Sequence, residues 1–325
     1  MRRKNFILTV LIFLFINILS MAVESTNFIM PNTNMTSSST NFQEALKDYK
    51  PNLENIDKIF NYIEKNIKEK GRAVFYSKLE KGKNEIIVTD ENNNIIYTEK
   101  ISEKLINVVP YFEAKEMYQL KEGKTFSYID YSTEMLGKNV SIKSENLLKK
   151  KMNKKDAIEI LNKLRDYNSF TKNSISNIEY AKSECYDEEG NLLFTMQIKD
   201  SKVITETQKT INENIIKMIY IVNDIDTDSG LMETYINGKL SAIMRMKNSL
   251  PNGEAKIFYP SGKLLSIFTL ENGKTNGVVK VYYENGKIQA IHNFKDNVLN
   301  GEAIEYDEDG NVVKKVLYKN GKIVK

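Results

Sequence analysis

The spacing of apolar residues changes along the chain and predicts helices only in its N-terminal half. Over residues 44–71, apolar side chains recur three and four residues apart, which places them on one face of a helix. They are Leu53, Ile56, Ile59, Phe60, Ile63 and Ile67. Gly71 follows as a residue that suits the end of a helix. A second helical segment is predicted over residues 141–179, with a helix from Lys154 to about Tyr167 behind the cap residue Asn153.

Residues 72–140 have a different pattern, in which short apolar runs alternate with turn-forming residues. Ile86–Val88 and Ile95–Tyr97 are two such runs, and the polar cluster Asp90–Asn94 lies between them. This pattern is typical of short β-strands joined by tight turns. The region is therefore predicted to be a short-strand β region.

A regular repeat occupies the C-terminal part of the chain. The dipeptide Asn-Gly recurs at 252, 276 and 300, a period of 24, and each unit carries an aromatic residue six positions later. The same phase extends backwards, so that six consecutive units fill residues 180–325. The segment Asp90–Ile96 resembles one more, diverged copy outside this phase. Glycines are predicted to form repeat turns at Gly190, Gly238, Gly262, Gly286 and Gly310.

Each repeat has room for two strands and two turns, which makes it a β-hairpin. The Asn-Gly pairs are predicted to form tight hairpin turns, because such turns need residues with positive φ. Along the second strand of a unit, Leu264 and Phe268 have the same parity and are predicted to share a sheet face. The predicted fold class is therefore mostly β with N-terminal helical segments (α+β), in which the hairpins stack into an elongated, twisted antiparallel sheet.

The last repeat differs from the others in its lysine content. Lysines crowd its final strand at Lys314, Lys315, Lys319, Lys322 and Lys325. Lysines on an edge strand disfavour pairing with other sheets. The segment is therefore predicted to be a capping repeat, with a specific basic docking site as the alternative.

The repeat unit, with Asn-Gly followed by paired aromatics and Asn-Gly-Lys, resembles the bacterial MORN-repeat variant. Proteins of that variant are often named as the YwqK-like antitoxin component of a toxin–antitoxin module. The resemblance covers residues 228–325 well, residues 180–227 more weakly and residues 44–170 not at all. It implies the hairpin-repeat architecture, and its family name implies an antitoxin or immunity role with a cognate toxin as partner.

Residues 1–22 have the pattern of a cleaved export signal. Arg2, Arg3 and Lys4 precede an apolar stretch from Phe6 to Leu19, and Ser20–Ala22 offers a cleavage site. Residues 23–43 are rich in Ser, Thr and Asn and are predicted to be a disordered linker. The protein is therefore expected outside the cytoplasm, in the periplasm, the outer envelope or the medium. Contact with the membrane is expected only through the signal segment, if that segment is retained.

The charge pattern argues against a nucleic-acid partner. Without the three basic residues of the signal, 44 basic side chains face 43 acidic ones, and nucleic-acid binding needs a basic excess. The single cysteine, Cys185, excludes a disulfide framework and is predicted to be a small buried residue at a strand position.

No catalytic, cofactor or metal site is predicted. His292 is the only histidine and occupies the repeat position of Phe268, so a structural role is expected. Asp224–Asp228 begins like a calcium loop, but Ser229 and Tyr235 stand where that loop needs Gly and Glu. A solvated acidic turn is the preferred interpretation there, and weak calcium binding is the alternative. The recurring Gly-Lys pairs lack the spacing of a phosphate loop.

Tyrosines that recur in the repeats are the candidate partner-binding residues, namely Tyr235, Tyr259 and Tyr283. Tyrosines presented by a rigid sheet make good anchors for a protein partner. Cross-strand packing without a ligand is nevertheless the preferred interpretation of these tyrosines, and partner binding is the alternative. The sequence thus favours an exported, non-catalytic protein that binds another protein at the cell envelope, with an antitoxin or immunity role as the alternative.

Overall fold

The computed structural model describes residues 53–107, 111–135, 138–153, 155, 178–200, 202–224, 227–248 and 250–324. The chain divides into two compact units, Met1–Thr205 and Glu206–Lys325. This boundary lies inside the second of the six predicted repeats. The predicted export signal (1–22), the linker (23–43) and most of the helix predicted from Lys154 lie outside the described residues.

Unit 1 is an antiparallel sheet with a helix on one side. Its elements are α1 (Leu53–Lys70), β1 (Arg72–Leu79), β2 (Glu85–Asp90), β3 (Ile95–Lys100), α2 (Glu103–Ile106), β4 (Phe112–Lys121), β5 (Lys124–Met135), β6 (Lys138–Leu148), β7 (Ile178–Tyr186) and β8 (Leu192–Lys199). The strands pair in the order β3–β2–β1–β4–β5–β6–β7–β8.

Helix α1 packs its predicted apolar face against the sheet. Ile56 and Ile59 are fully buried, and α1 contacts β1, β3 and β4. The hydroxyl of Tyr62 donates to the carbonyl of Val74 at 2.6 Å, which joins the helix to β1. Gly71 ends the helix with a φ of 77°. Among the helices of the described residues, none has both the length and the apolar character that crossing a membrane requires.

The helical prediction over residues 141–179 is wrong at its start. Residues 141–148 belong to strand β6, which pairs with β5 on one side and with β7 on the other. Val140, Ile142 and Ser144 are buried in strand alternation. This alternation is a strand pattern, and pairing with β5 and β7 on both sides stabilises it. Strands β4, β5 and β6 have 10, 12 and 11 residues, longer than the short strands predicted between 72 and 140.

Unit 2 is a meander in which each strand pairs antiparallel with the next. The division between the units falls within β9 (Lys202–Ile211). The following strands are β10 (Asn214–Asp224), β11 (Ser229–Ile236), β12 (Lys239–Lys247), β13 (Leu250–Phe258), β14 (Leu264–Glu271), β15 (Lys274–Tyr282), β16 (Ile288–Lys295), β17 (Val298–Tyr306), β18 (Val312–Lys319) and β19 (Lys322–Ile323). Strands β13, β15 and β17 begin one repeat period apart, at Leu250, Lys274 and Val298. The predicted antiparallel hairpin-repeat fold is thereby confirmed.

The Asn-Gly pairs at 252, 276 and 300 are not hairpin turns, which corrects the prediction for these three pairs. Asn252–Gly253, Asn276–Gly277 and Asn300–Gly301 lie inside β13, β15 and β17 at register shifts of the ladder. They therefore form β-bulges, where glycine supplies the positive φ. In these three repeats the two-residue turns are Asn272–Gly273, Asp296–Asn297 and Asn320–Gly321, in which both residues have positive φ.

A five-residue turn closes the other end of the hairpins. Its first residue donates its amide to the carbonyl four residues on, from Tyr259 to Lys263 and from Asp307 to Asn311. The turn that begins at Asp90 has the same hydrogen bond, to Asn94. Gly190, Gly262, Gly286 and Gly310 are the fourth residues of such turns and have positive φ. Gly238 has positive φ in a two-residue turn instead.

Candidate binding surface

The sheet of unit 2 has one apolar and one polar face. Cross-strand partners lie on the same face of a sheet, so the ladder assigns each side chain to one of the two. The side that we call the apolar face carries Met232, Met244, Met246, Ala255, Ile257, Phe268, Leu270, Val279, Val281, Ala290, Phe294, Leu299, Ala303, Val316 and Tyr318. The opposite side is called the polar face below.

Small side chains on the apolar face lie deep between large ones. Ala255, Ala290 and Ala303 are 2%, 7% and 7% exposed. Phe268 on β14 and Phe294 on β16, which lie on the same face, are half-buried. The large residues Met232, Met246 and Leu270 are buried as well, at 2%, 4% and 9% exposed. The accessible part of this face is therefore formed by its half-buried members, such as Phe268, Val281 and Phe294.

A bulge moves the predicted member Leu264 off this face. The register shifts between Ile257–Ser266 and Phe258–Leu264, so Leu264 pairs with Phe258 instead of keeping parity with Phe268. The same shift recurs between Val281–Ala290 and Tyr282–Ile288 in the next repeat. The parity prediction that joined Leu264 to Phe268 is wrong, because it took the strand as regular.

The apolar face carries few charges. Glu305 and Lys314 are cross-strand partners on it, with Lys314 Nζ 3.2 Å from Glu305 Oε1. His292 lies on the same face between Val279 and Ala303 and is half-buried, as expected for a structural position. The face is thus apolar with one internally neutralised ion pair.

The polar face alternates aliphatic and charged side chains. Lys256 pairs with Ile243 and Ile267, and Lys280 pairs with Ile267 and Ile291. On the last strands, Lys315 forms an ion pair with Glu302, with its Nζ 3.0 Å from the carboxylate. This side has the composition of a solvated sheet face.

No described element of unit 2 covers the apolar face. Over residues 206–224, 227–248 and 250–324 the elements are strands and turns, and they contact mainly their neighbours in sequence. A single antiparallel layer usually packs its apolar side on another layer and leaves the other side in water. The apolar face is therefore the surface of this unit best suited to binding.

The predicted tyrosine anchors lie elsewhere, at the ends of the hairpins. Tyr259 and Tyr283 begin the five-residue turns of successive repeats and are half-buried. Tyr259 donates its hydroxyl to the carbonyl of Tyr282 at 2.8 Å, and Tyr283 donates to that of Tyr306 at 2.7 Å. Each hydroxyl thus reaches the next repeat, which makes these tyrosines links between repeats.

Tyr235 has a different environment, although it lies one repeat period before Tyr259. It lies within β11 and donates its hydroxyl to Glu233 on the same strand at 2.8 Å. The three tyrosines therefore do not form one surface. The sequence analysis did not identify the large residues of the apolar face as a binding surface. The signal that could have identified them is the alternation of apolar and polar residues along each strand, which the bulges interrupt.

Three segments of this sheet match a known repeat family. They are residues 251–272, 275–296 and 299–320, and each covers one hairpin from β13 to β18. All three match the MORN repeat variant. Repeats of this kind are generally modules that take part in protein or membrane binding. No curated protein matches the chain.

Other chemically reactive groups are used internally. Cys185 is fully buried on β7, and burial raises the pKa of its thiol to about 12. In the predicted acidic turn, Thr227 donates to Asp224 at 2.8 Å and the hydroxyl of Tyr220 donates to Asp228 at 3.0 Å. Within the described ranges, no group of three or more His, Cys, Asp or Glu side chains is placed to hold a metal ion.

A shallow groove crosses the side of the unit 1 sheet on which Tyr76 and Lys78 lie. It has a volume of about 490 Å³ and is lined by residues of β1, β2, β4 and β5. Two of its lysines have partners: Lys78 Nζ lies 2.9 Å from Glu113, and Lys115 Nζ lies 5.9 Å from the centre of the Tyr76 ring. The groove therefore offers a mixed polar surface without a convergent set of unpaired charges.

Proposed function

We propose that this chain is an exported, non-catalytic protein whose repeat sheet binds another protein at the cell envelope. The apolar face of unit 2 is the single observation that carries the proposal. Half-buried Phe268, Val281 and Phe294 lie on it without a covering element in the described part of that unit. Large apolar side chains in a connected patch are typical of protein interaction sites.

The chemistry of the face favours a protein partner over a nucleic acid or an anionic surface. Those partners are bound mainly by clustered lysine and arginine. The one lysine of the apolar face, Lys314, is paired with Glu305. The match of residues 251–320 to the MORN repeat variant supports a binding role. The export-signal pattern of residues 1–22 supports the location at the envelope.

Adjacent residues on opposite faces supply a matched experiment. Full-length tagged protein is expressed in a bacterial host and cross-linked in cells as wild type, Phe268→Glu and Ile267→Glu. Phe268 lies on the apolar face, whereas Ile267 lies on the polar face beside Lys256 and Lys280. We expect wild type and Ile267→Glu to retain an envelope protein that Phe268→Glu loses. Equal recovery with all three, or fractionation of the protein with the cytoplasm, contradicts the proposal.

An antitoxin or immunity role is the second candidate. The observation that favours it is the match to the MORN repeat variant, because bacterial proteins with this repeat often carry the YwqK-like antitoxin name. The test is co-expression with the product of a neighbouring gene that arrests growth. Rescue of growth by wild type but not by Phe268→Glu supports the role, and continued arrest with both contradicts it.

A further inference from the structure

We propose that the apolar face of unit 2 binds the same face of a second copy of this chain. The inference goes beyond the function proposed above, because it assigns a second copy of the chain to the surface from which that function was argued. Sheets with one apolar face bury it against another layer to form a core. In the described part of unit 2 no helix or second sheet supplies that layer.

The size of the face suits a stable dimer. Strands β11 to β18 have eight or nine residues each. With strands about 4.8 Å apart and about 3.3 Å per residue, the paired region measures roughly 38 Å by 23 Å. Two such faces together extend over about 1,700 Å², which matches the size of standard specific interfaces. The face is therefore large enough to hold two copies together without help from unit 1.

The electrostatics allow the face to meet itself. A face with net charge repels its own copy, which costs free energy in a two-fold interface. Here the carboxylate of Glu305 and the ammonium group of Lys314 lie 3.2 Å apart on the same face. The remaining side chains that could oppose each other are mainly apolar. A different protein could carry the opposite charge and bind a charged face. A second copy carries the same charge, so the face must be close to neutral to bind itself.

The relief of the face also suits a two-fold interface. Across the strands, Ala255 lies between Met244 and Phe268 as their cross-strand partner. Ala303 likewise lies between His292 and Val316 in a later repeat. A small residue flanked by large ones leaves a hollow, and side chains of packed sheets interdigitate into such hollows. The same face thus supplies both the projections and the hollows.

The test is the mass of the full-length protein in solution. Sedimentation velocity over a hundredfold concentration range is applied to wild type, Phe268→Glu and Ile267→Glu, with circular dichroism to verify folding. We expect wild type and Ile267→Glu to be dimers. We expect Phe268→Glu to dissociate at least about a hundredfold more readily, because a central charge is buried without a partner. Val279→Glu, on the same face in the next repeat, serves if Phe268→Glu does not fold.

Three results overturn the inference. One is a wild-type protein that stays monomeric over the whole range. Another is a dimer that persists in folded Phe268→Glu or Val279→Glu, which assigns the contact to a sheet edge or to unit 1. The third is a monomer whose envelope partner is lost in Phe268→Glu, and in that case the proposed function stands without the second copy. A wild-type dimer that Phe268→Glu breaks, with no envelope partner recovered, supports self-association and counts against the function.

Discussion

Glu116 is the residue whose environment departs most from that of an ordinary carboxyl group. It lies on β4 in the core of unit 1 and is fully buried. Its Oε2 accepts a hydrogen bond from the hydroxyl of Tyr118 at 2.9 Å, whereas no partner is found for Oε1. Burial raises the pKa of Glu116 to about 8, although the bond from Tyr118 opposes this. The carboxyl group is therefore protonated at neutral pH in the folded protein.

This raised pKa predicts a stability that falls as the pH rises. Between its ordinary value of 4.5 and about 8, the unfolded chain has lost the proton that the folded chain retains. The free energy of unfolding therefore decreases with pH across this window, by up to about 5 kcal/mol. We expect Glu116→Gln to flatten this dependence, because its side chain has no proton to lose. Urea unfolding followed by circular dichroism from pH 4 to 9 measures it.

Glu113→Gln is the matched control, because Glu113 lies on the same strand with its side chain 59% exposed. This variant should keep the slope of the wild type. A wild-type stability that rises between pH 5 and 8, or equal slopes in wild type and Glu116→Gln, contradicts the assignment.

Tyr259 links two repeats through one hydrogen bond, so its expected contribution to stability is smaller than that of Glu116. Removing its hydroxyl in Tyr259→Phe leaves the carbonyl of Tyr282 without that donor. We expect a loss of about 1 kcal/mol in the free energy of unfolding, which is the net worth of a typical hydrogen bond. Tyr235→Phe should cost less, because its partner Glu233 is a half-exposed side chain on the same strand that water can solvate. A larger loss in Tyr235→Phe than in Tyr259→Phe argues against the link.

At the scale of elements, the repeat was predictable and the place of its glycines was not. The repeat phase and the two strands per unit follow from the sequence alone, and the structure has both. Asn-Gly, however, signals only that a residue with positive φ is needed. A tight turn and a bulge both meet that need, so local sequence cannot separate them. In β15, the side chain of Asn276 accepts a hydrogen bond from the backbone amide of Asp296. This contact joins the bulge to a later turn, and no local sequence pattern indicates it.

Strand β6 shows the same limit for whole elements. In its sequence, KNVSIKSENLL, Val140 and Ile142 alternate with polar residues, but the next buried position is the polar Ser144, so the apolar pattern of a strand is short. Only the partners β5 and β7, which lie elsewhere in the chain, decide that it is extended. Helix α1 was predictable because its apolar spacing is a property of the segment itself. The apolar face of unit 2 resembles β6 in this respect. Its bulges shift the alternation of apolar and polar residues, so the sequence alone does not show which side chains share the face.

Two bulge glycines provide a comparison at this scale. A Cβ at position 301 would lie 2.9 Å from the Cβ of Asn293, whereas one at position 277 meets nothing within 4 Å. Both residues have positive φ, of 121° and 83°. We expect Gly277→Ala to cost about 1–2 kcal/mol for the backbone alone, and Gly301→Ala to cost roughly 1 kcal/mol or more beyond that, because the β16–β17 ladder must also shift. Urea unfolding of the two variants measures the difference. Equal costs, or a greater cost at 277, would falsify the steric argument.

At the scale of the whole molecule, the repeats of unit 2 form a chain of equivalent neighbours. Backbone bonds recur with the same period, from Gly273 to Pro251, from Asn297 to Thr275 and from Gly321 to Leu299. In such an array each repeat is stabilised mainly by the repeats beside it. One repeat can then be removed without disturbing the others, provided that the phase is kept.

Deletion of residues 274–297 removes strands β15 and β16, one full period, and joins Gly273 to Val298. Strand β14 then meets β17 in the register it now has with β15, and Tyr259 can donate to the carbonyl of Tyr306 as it does to that of Tyr282. We expect this variant to fold, with a strand content per residue like that of the wild type and a smaller dependence of stability on urea, since less surface is exposed on unfolding.

Deletion of residues 274–285, half a period, is the control. It joins Gly273 to Gly286, so that β16 follows β14 directly and the later strands fall half a period out of phase with the repeat; we therefore expect aggregation. Circular dichroism and urea titration distinguish the two. If both deletions fold equally well, the period does not govern the assembly of this sheet. If neither folds, the repeats depend on more than their neighbours.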